Sequence, residues 1–287
     1  MKCKWIKKLT AGIIFLAAVG SLSGCQKAAT SENLFRDIEV NMTSVESAEE
    51  NQIVKLQMGD GDSAISQESN LDIEMTRNPA AVHRKGQQKT NMAGTKETQE
   101  MESYQVEEDG KTVIYSGTDE AWEKNAVEEK ETSSQQTVLF DGFQNLSGAF
   151  SVSQDLATVN KEECFELTGT ISGTQFQETF ADTLKALLGE DSSDLSGWNL
   201  QASEDEENNE ELQQKLNNVK VDCVIDIYRN NILPAKITFD LTDYLKAAGE
   251  ENAQVTSYTL EVTFVSYNDT KKIKVPKAVK ESAKDNG

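Results

Sequence analysis

The sequence has little of what most catalytic and metal sites are built from. Among 287 residues there are one histidine and three prolines, and aromatic side chains make up 7%. A single histidine, His83, disfavours metal sites built from imidazoles and a Ser-His-Asp hydrolase. The chain also lacks a G-x-S-x-G elbow and a phosphate-binding Walker loop. We therefore predict a protein that is not an enzyme and that carries no metal and no cofactor.

Positive charge is scarce as well. The chain has 28 Lys and Arg against 49 Asp and Glu, which gives a formal net charge of -21. Nucleic-acid binding requires clustered cations that neutralise phosphates, so this balance predicts no nucleic-acid partner. It also disfavours broad electrostatic adsorption to anionic lipid headgroups.

The one long apolar run is short and lies at the N-terminus. It extends from about Leu9 to Leu22, follows a basic segment with four lysines, and is too short for a comfortable membrane span of about 20 residues. It ends in Leu22-Ser23-Gly24-Cys25, which resembles the bacterial lipobox. We predict a signal peptide over 1–24, lipidation of Cys25 (palmitate or a similar acyl chain) and an anchor at the outer face of the cytoplasmic membrane. The alternative is an ordinary signal peptide followed by a chance cysteine.

Cysteines are few, and two of the four are accounted for by the N-terminus. Cys3 would leave with the signal peptide and Cys25 would carry lipid. Cys164 and Cys223 remain, and an exported location permits a disulfide between them. The strand patterns place Cys223 on an apolar face and Cys164 on a polar one, so a disulfide and two free thiols both stay open.

The mature chain alternates apolar and polar residues over many short runs, which is typical of half-buried β-strands. Asp109-Gly110 between two such runs predicts a type I′ hairpin. Pro234 is compatible with the start of a strand or with an edge strand. The predicted strands include the runs at 38–42, 54–58, 71–76, 82–92, 165–171, 219–227, 237–241 and 258–264.

Two segments show helical spacing. One is 137–147, and the other carries Phe176, Phe180 and Leu184 on one stripe, with Thr174 and Gln177 as a capping box. The acidic segment near 190–217 predicts a solvated, mobile insert with room for a short exposed helix.

These patterns predict one domain. It would consist of a tether over 25–33, a single folded unit over 34–275 that includes the acidic insert, and a frayed tail over 276–287. One antiparallel sheet with helices segregated to one side, an α+β arrangement, fits the order of the elements.

The segment from Val224 to Ile237 carries a specific pattern: a strand, an Asn-rich turn, and Leu233-Pro234 leading into a second strand. Together with the lipobox and the closing strand through Phe264, it resembles Gram-positive lipoproteins similar to the lipoprotein carrier superfamily (LolA, LppX and LprG types), including the DUF6612-like lipoproteins. The resemblance implies a strongly bent antiparallel sheet, an unclosed half-barrel, wrapped over a few helices. It also implies an apolar cavity between sheet and helices that holds acyl chains.

The resemblance implies which side chains face the cavity, but it implies no single catalytic or binding residue. The side chains it implies as cavity lining are Val40, Met42, Leu56, Met58, Ile73, Met75, Phe176, Phe180 and Leu184. With a cavity, the protein would bind or carry an apolar, acyl-chain-bearing ligand. With a filled core, the same fold would serve as a non-enzymatic module that engages an envelope protein or the cell wall. The residues alone leave both functions open.

Overall fold

The computed structural model describes residues 29–60, 64–118, 121–127, 143–188, 206–248 and 254–285. The helices in these ranges are α1 Ser31–Met42, a 3₁₀ helix Phe143–Ala149, α2 Gly173–Leu188, α3 Glu206–Asn217, α4 Thr242–Ala248 and α5 Lys277–Ser282. The strands are β1 Ser47–Met58, β2 Ile65–Arg77, β3 Ala80–Met92, β4 Thr95–Glu108, β5 Lys111–Thr118, β6 Ala121–Val127, β7 Phe150–Val159, β8 Glu162–Ser172, β9 Lys220–Tyr228, β10 Pro234–Asp240, β11 Val255–Tyr267 and β12 Lys284–Asp285.

All of these strands join one sheet, in the order β12-β6-β5-β4-β3-β2-β1-β11-β10-β9-β8-β7. Neighbouring strands are antiparallel except for β12, which pairs parallel to β6. The two edges, β7 and β12, do not meet, so the strongly bent sheet is an unclosed half-barrel over a few helices. The predicted α+β fold class is confirmed.

Tight hairpins build the first half of the sheet. At the β4–β5 turn, Asp109 and Gly110 have φ values of 52° and 77°, and Glu108 pairs with Lys111. Positive φ at both central residues is what a type I′ turn requires. Ala93 and Gly94 make the same kind of turn between β3 and β4. The Asp-Gly hairpin predicted from the sequence is therefore confirmed.

The main core lies between the helices and one half of the sheet. The concave, inner face of β7–β11 and of β1 contributes apolar side chains, and α1, the 3₁₀ helix, α2, α3 and α4 cover them. None of the buried residues of this core comes from β2–β6. The helical layer therefore packs on half of the inner face.

Residues 38–42 are helical, and the predicted strand there is wrong. Alternation of three apolar residues over five positions is also compatible with a helix. Leu34, Phe35, Ile38 and Met42 form the buried stripe of α1, and Thr30 accepts a hydrogen bond from the backbone of Asn33 at its N-cap. The helix begins at Ser31, so the predicted tether is already helical in its last three residues.

The cap of α2 differs from the predicted one. Ser172 and Gln175 form the reciprocal pair: Gln175 N donates to Ser172 Oγ at 3.2 Å, and Ser172 N donates to Gln175 Oε1 at 3.0 Å. The same spacing recurs two residues later at Thr174 and Gln177, which misled the sequence interpretation. Gln177 is instead buried and accepts a hydrogen bond from Gln213.

Part of the acidic insert packs against the core. Residues 206–217 form α3, and its Leu216 is completely buried while Leu212 contacts the core. The expectation of a merely solvated segment is wrong for this helix, because two leucines four residues apart share one face. Residues 190–205 of the insert lie outside the described residues.

The C-terminal segment is ordered through residue 285, which corrects the predicted frayed tail. It crosses the outer, convex face of the sheet, where Ile273 and Val279 pack with Tyr115 and Trp122 in a second apolar cluster. Lys280 pairs with a carboxylate of β4, and β12 extends the sheet beyond β6. We call residues 269–285 the C-terminal strap.

Candidate functional site

Aromatic rings fill the space between α2 and the sheet. Phe180 lies in ring contact with Phe143, Phe176 and Phe239, at centroid distances of 4.8, 5.4 and 5.3 Å. Phe176 adds Tyr244 at 4.9 Å. Such pairs contribute about 0.5–1.5 kcal/mol each beyond the burial of their area. This half of the inner face is therefore a packed core.

The other half of the inner face has a different surface. We call the inner-facing side chains of β2, β3 and β4 the distal inner face. Strand register aligns them in rows. Met58, Ile65 and Met92 form one row beside the β1–β2 and β3–β4 turns, which we call the hairpin end, and Leu71 and Met101 belong to another row. Ile65 and Leu71 are half-buried, and Met92 and Met101 are 54% and 37% exposed.

Gly86 separates Leu71 from Met101 in that second row. A Cβ at Gly86 would lie 2.0 Å from the carbonyl oxygen of Asn70, so only glycine permits this approach of β3 to β2. The missing side chain leaves a shallow gap in the row. Leu71 borders the gap on one side, and the flexible side chain of Met101 borders it on the other.

The residues expected to line a cavity do not form one group. Met42, Leu56, Phe176 and Phe180 lie in the main core, and Met58 is at its margin. Ile73 and Met75 belong to a small separate cluster with Ala48 and Val82. Val40 lies on the solvent side of α1 with 62% exposure, so it does not face the sheet. The side chain of Leu184 lies outside the described residues, and the lining as a whole stays a prediction.

Four polar side chains interrupt the apolar inner face at the junction of its two halves. Glu50 and Gln52 on β1 are buried, and Gln105 on β4 is buried with them. Arg84 on β3 reaches from the same face, and its Nη1 donates to Gln105 Oε1 at 3.4 Å. We call these four residues the polar inset. The sequence interpretation missed it because β1 was predicted to begin at Val54, yet Glu50 and Gln52 have the same parity as Val54 and Leu56.

Burial dominates the electrostatics of the polar inset. Glu50 is 3% exposed, and burial raises its pKa from 4.5 to about 7, against the opposing effect of the Arg84 charge. Burial also lowers the pKa of Arg84, and Glu50 opposes that shift. Among the described residues, no hydrogen-bond donor reaches Glu50 Oε1.

His83 lies on the outer face, away from the polar inset. Its two ring nitrogens are each 3.0 Å from a carboxylate oxygen, one of Glu74 and one of Glu102, and its ring stacks on Tyr104 at 4.3 Å. No group of three or more His, Cys, Asp or Glu side chains in the described ranges is arranged to hold a metal ion.

Cys164 and Cys223 are both buried and free. Cys223 pairs in register with Gly169, which is five residues from Cys164 on the same strand. An odd offset places the two side chains on opposite faces of the sheet, so no disulfide can join them. Burial raises the pKa of Cys164 to about 11, which keeps the thiol protonated.

The predicted anchor, Cys25, lies outside the described residues. Across the ranges that are described, no helix has both the length and the apolar character needed to span a bilayer.

Comparison with known proteins gives a family and a set of folds. A family model, described as a family of unknown function (DUF6612), matches residues 30–284. No curated protein matches the chain. Among solved structures, the lipoprotein LppX of Mycobacterium tuberculosis is 14% identical, with 85% of this chain and 98% of that chain covered and a TM-score of 0.43.

Two further structures have similar coverage. LprF of Mycobacterium bovis is 10% identical, with 86% and 96% of the two chains covered and a TM-score of 0.42. A LolA superfamily protein of Nitrosomonas europaea is 9% identical, with 88% and 97% covered and a TM-score of 0.24. At these scores the similarity says nothing about a ligand. The resemblance to the DUF6612 family that the sequence indicated is confirmed by the family model.

Proposed function

The chain belongs to the DUF6612 family, and we propose that it is a lipid-anchored extracytoplasmic protein that binds an apolar, acyl-chain-bearing molecule. In this proposal Cys25 carries the anchor at the outer face of the cytoplasmic membrane. The distal inner face, together with the margin of β1, holds the acyl chain. No reaction is assigned to the chain.

One observation carries the proposal: the packed core ends at β1, while Ile65, Leu71, Met92 and Met101 on the inner face of β2–β4 stay half-buried or exposed. Met92 and Met101 are two of the five large hydrophobic side chains that are exposed in the described residues, and both lie on this face. These four side chains form two apolar rows with two polar rows between them. Exposed apolar residues grouped on one face favour a binding surface more than residues scattered singly do. Methionine side chains adapt to ligands of varied shape.

The position differs from the cavity that the fold resemblance implies. Phe176 and Phe180 were expected to border the acyl chain, yet each contacts other rings of the packed core. A ligand beneath α2 would have to displace these rings. The distal inner face requires no such rearrangement of the described side chains.

The same aromatic core favours a second candidate function. A filled core with no room for a ligand fits a non-enzymatic module that engages an envelope protein or the cell wall. In that case the distal inner face would contact a macromolecule rather than a lipid.

Native mass spectrometry of the mature chain (residues 25–287) carrying Cys25→Ala tests the proposal. This chain contains every contact described above and lacks only the covalent lipid. We expect this chain, with no further substitution, to carry co-purified lipid that organic extraction identifies. Leu71→Gln on the distal inner face should reduce the lipid per protein at least about threefold, because it places an amide against the acyl chain.

Val265→Gln is the matched control, since Val265 is equally apolar but lies exposed on the outer face. It should leave the bound lipid unchanged. Lipid-free protein in all three samples, also after incubation with phospholipid vesicles, would refute the binding function and favour the interaction module.

A further inference from the structure

The polar inset is an unusual feature for a face that binds only acyl chains. Glu50, Ile73, Arg84 and Ser103 form one cross-strand row, so Glu50 and Arg84 flank Ile73 from the two neighbouring strands. Gln52 lies one row toward the hairpin end. Apart from Gln52, the inset thus lies on the side of the Leu71 and Met101 row that is away from the hairpin end.

Glu50 has an unmet hydrogen-bonding capacity. Its carboxyl group is buried, and Oε1 has no hydrogen-bond partner among the described residues. A buried acceptor without a donor is destabilising, and more so if the group is charged. A ligand that supplies a donor at this point would remove that cost.

The remaining groups define what kind of ligand would fit. Gln52 and Gln105 each offer a carboxamide, which has both donors and an acceptor, and Arg84 offers donors only. Hydroxyl groups both donate and accept, so a hydroxyl-rich group can donate to Glu50 Oε1 and accept from a neighbouring carboxamide.

We propose that the polar inset is a subsite for the hydroxyl-rich, uncharged headgroup, of the glycosyl or glycerol type, of an amphiphilic ligand. The headgroup donates to Glu50 Oε1 and accepts from the carboxamides, while the acyl chain lies along Leu71, Met101 and the hairpin end. This inference rests on the proposed function and adds the headgroup class to it.

A cationic headgroup fits the inset less well. Burial favours the neutral form of Glu50 near pH 7, and Arg84 already brings a positive charge to the same place. An ammonium group there would be repelled by Arg84 and would have only a partly ionised partner. A hydroxyl group needs no charge on Glu50, because it can donate to the carboxyl group in either protonation state.

Isothermal titration calorimetry with three small probes tests the subsite on the mature chain carrying Cys25→Ala. Octyl β-glucoside and octylphosphocholine share one chain and differ in headgroup, and methyl β-glucoside has the headgroup without the chain. Below their micellar concentrations, we expect octyl glucoside to bind at least about tenfold more tightly than octylphosphocholine. Glu50→Leu should remove that preference and leave octylphosphocholine binding unchanged.

Three variants keep the test interpretable. Glu50→Gln retains an acceptor and should keep most of the preference for the glucoside. Gln52→Leu should weaken the preference as well, which covers the case in which Glu50→Leu does not fold. Asp226→Leu is the control, because Asp226 is also a buried carboxyl with an oxygen that lacks a partner among the described residues, but it lies on the outer face.

The outcomes separate the two proposals. Equal binding of the two octyl probes, unaffected by Glu50→Leu, would overturn the subsite and leave the proposed function standing. Binding of methyl glucoside as tight as that of octyl glucoside would support the subsite, with a free glycan as its source, and contradict the lipid function. No binding of any probe would overturn both.

Discussion

The two halves of the inner face are built from the same kind of strand but end in different surfaces. Over β7–β11 the inward positions are almost all apolar, and helices α1–α4 with the 3₁₀ helix bury them. Over β2–β4 the inward positions alternate between apolar side chains and Gln, Ser, Thr and Arg. The first half therefore has the composition of a core and the second has the composition of a binding surface.

The two halves of the sheet are stabilised in different places. Packing of large rings stabilises the first half. The second half has its own apolar cluster on the opposite, outer face, which the C-terminal strap covers. On the inner face of that half, the buried apolar side chains are confined to a small cluster around Ile73, Met75 and Val82, and the rows toward the hairpin end are left without a helical cover.

The largest expected effect is a truncation in the covered half. Phe180→Ala should lower the free energy of unfolding by about 3–5 kcal/mol, because it removes a buried ring and leaves a void among three other rings. Chemical denaturation of the mature chain measures the change. Met101→Ala on the distal inner face is the counterpart and should cost less than about 0.5 kcal/mol. Equal losses of unfolding free energy in the two variants would contradict the difference between the halves.

The next effect concerns pH and the junction between the halves. The pKa of Glu50 is about 7 in the folded chain against an ordinary value of 4.5, so the folded chain binds this proton more tightly. Its contribution to stability is therefore full below pH 4.5 and is lost as the pH rises toward 7. The loss is on the order of 3 kcal/mol at most. Arg84 and Tyr267 are the other titratable groups that interact with Glu50.

Glu50→Gln should flatten this dependence between pH 6 and 7. Asp226→Asn should not, because the pKa of Asp226 rises only to about 6, through burial and the nearby charge of Glu166. Stability measured by denaturation at several pH values distinguishes the two variants. A slope between pH 6 and 7 that persists in Glu50→Gln would show that the buried carboxyl is not its source.

A smaller effect is expected at the C-terminal strap. Val279→Ala should destabilise the chain by about 1 kcal/mol, since Val279 is a small buried anchor in the outer-face cluster. Hydrogen exchange should increase mainly in β4–β6, which the strap covers, and not in β8–β10. Uniformly faster exchange across the sheet would mean that the two halves unfold as one unit.

The sequence anticipated much of the sheet and less of the candidate site. Period-two alternation located β2, β3, β8, β9 and β11, and the Asp-Gly turn fixed the β4–β5 hairpin. At 38–42 the apolar run was too short to distinguish two periods, and tertiary packing of Leu34 and Phe35 decided for a helix. The packing of the acidic helix α3 against the core was missed, because two leucines provide a weak signal within so much charge.

The site depends on which strands the helices cover, and no local pattern encodes that. Phe176 looked like a cavity wall and is part of a core. Glu50 was predicted to precede a strand, but it lies within β1 and is buried. For Glu50, the long-range pairing of β1 with β11, across some two hundred residues of sequence, decides what the side chain contacts. For Phe176, the packing of α2 against β10 and α4 does so.

Photo-crosslinking tests the central claim most directly. The mature chain carrying Cys25→Ala would be incubated with a fatty acid that bears a diazirine in its chain, irradiated, digested and mapped by mass spectrometry. The account predicts adducts on inward-facing positions of β1–β4, such as Met58, Leu71 and Met101. Adducts concentrated on Phe176 and Phe180, or labelling of the inner face no stronger than that of Val265 on the outer face, would contradict it.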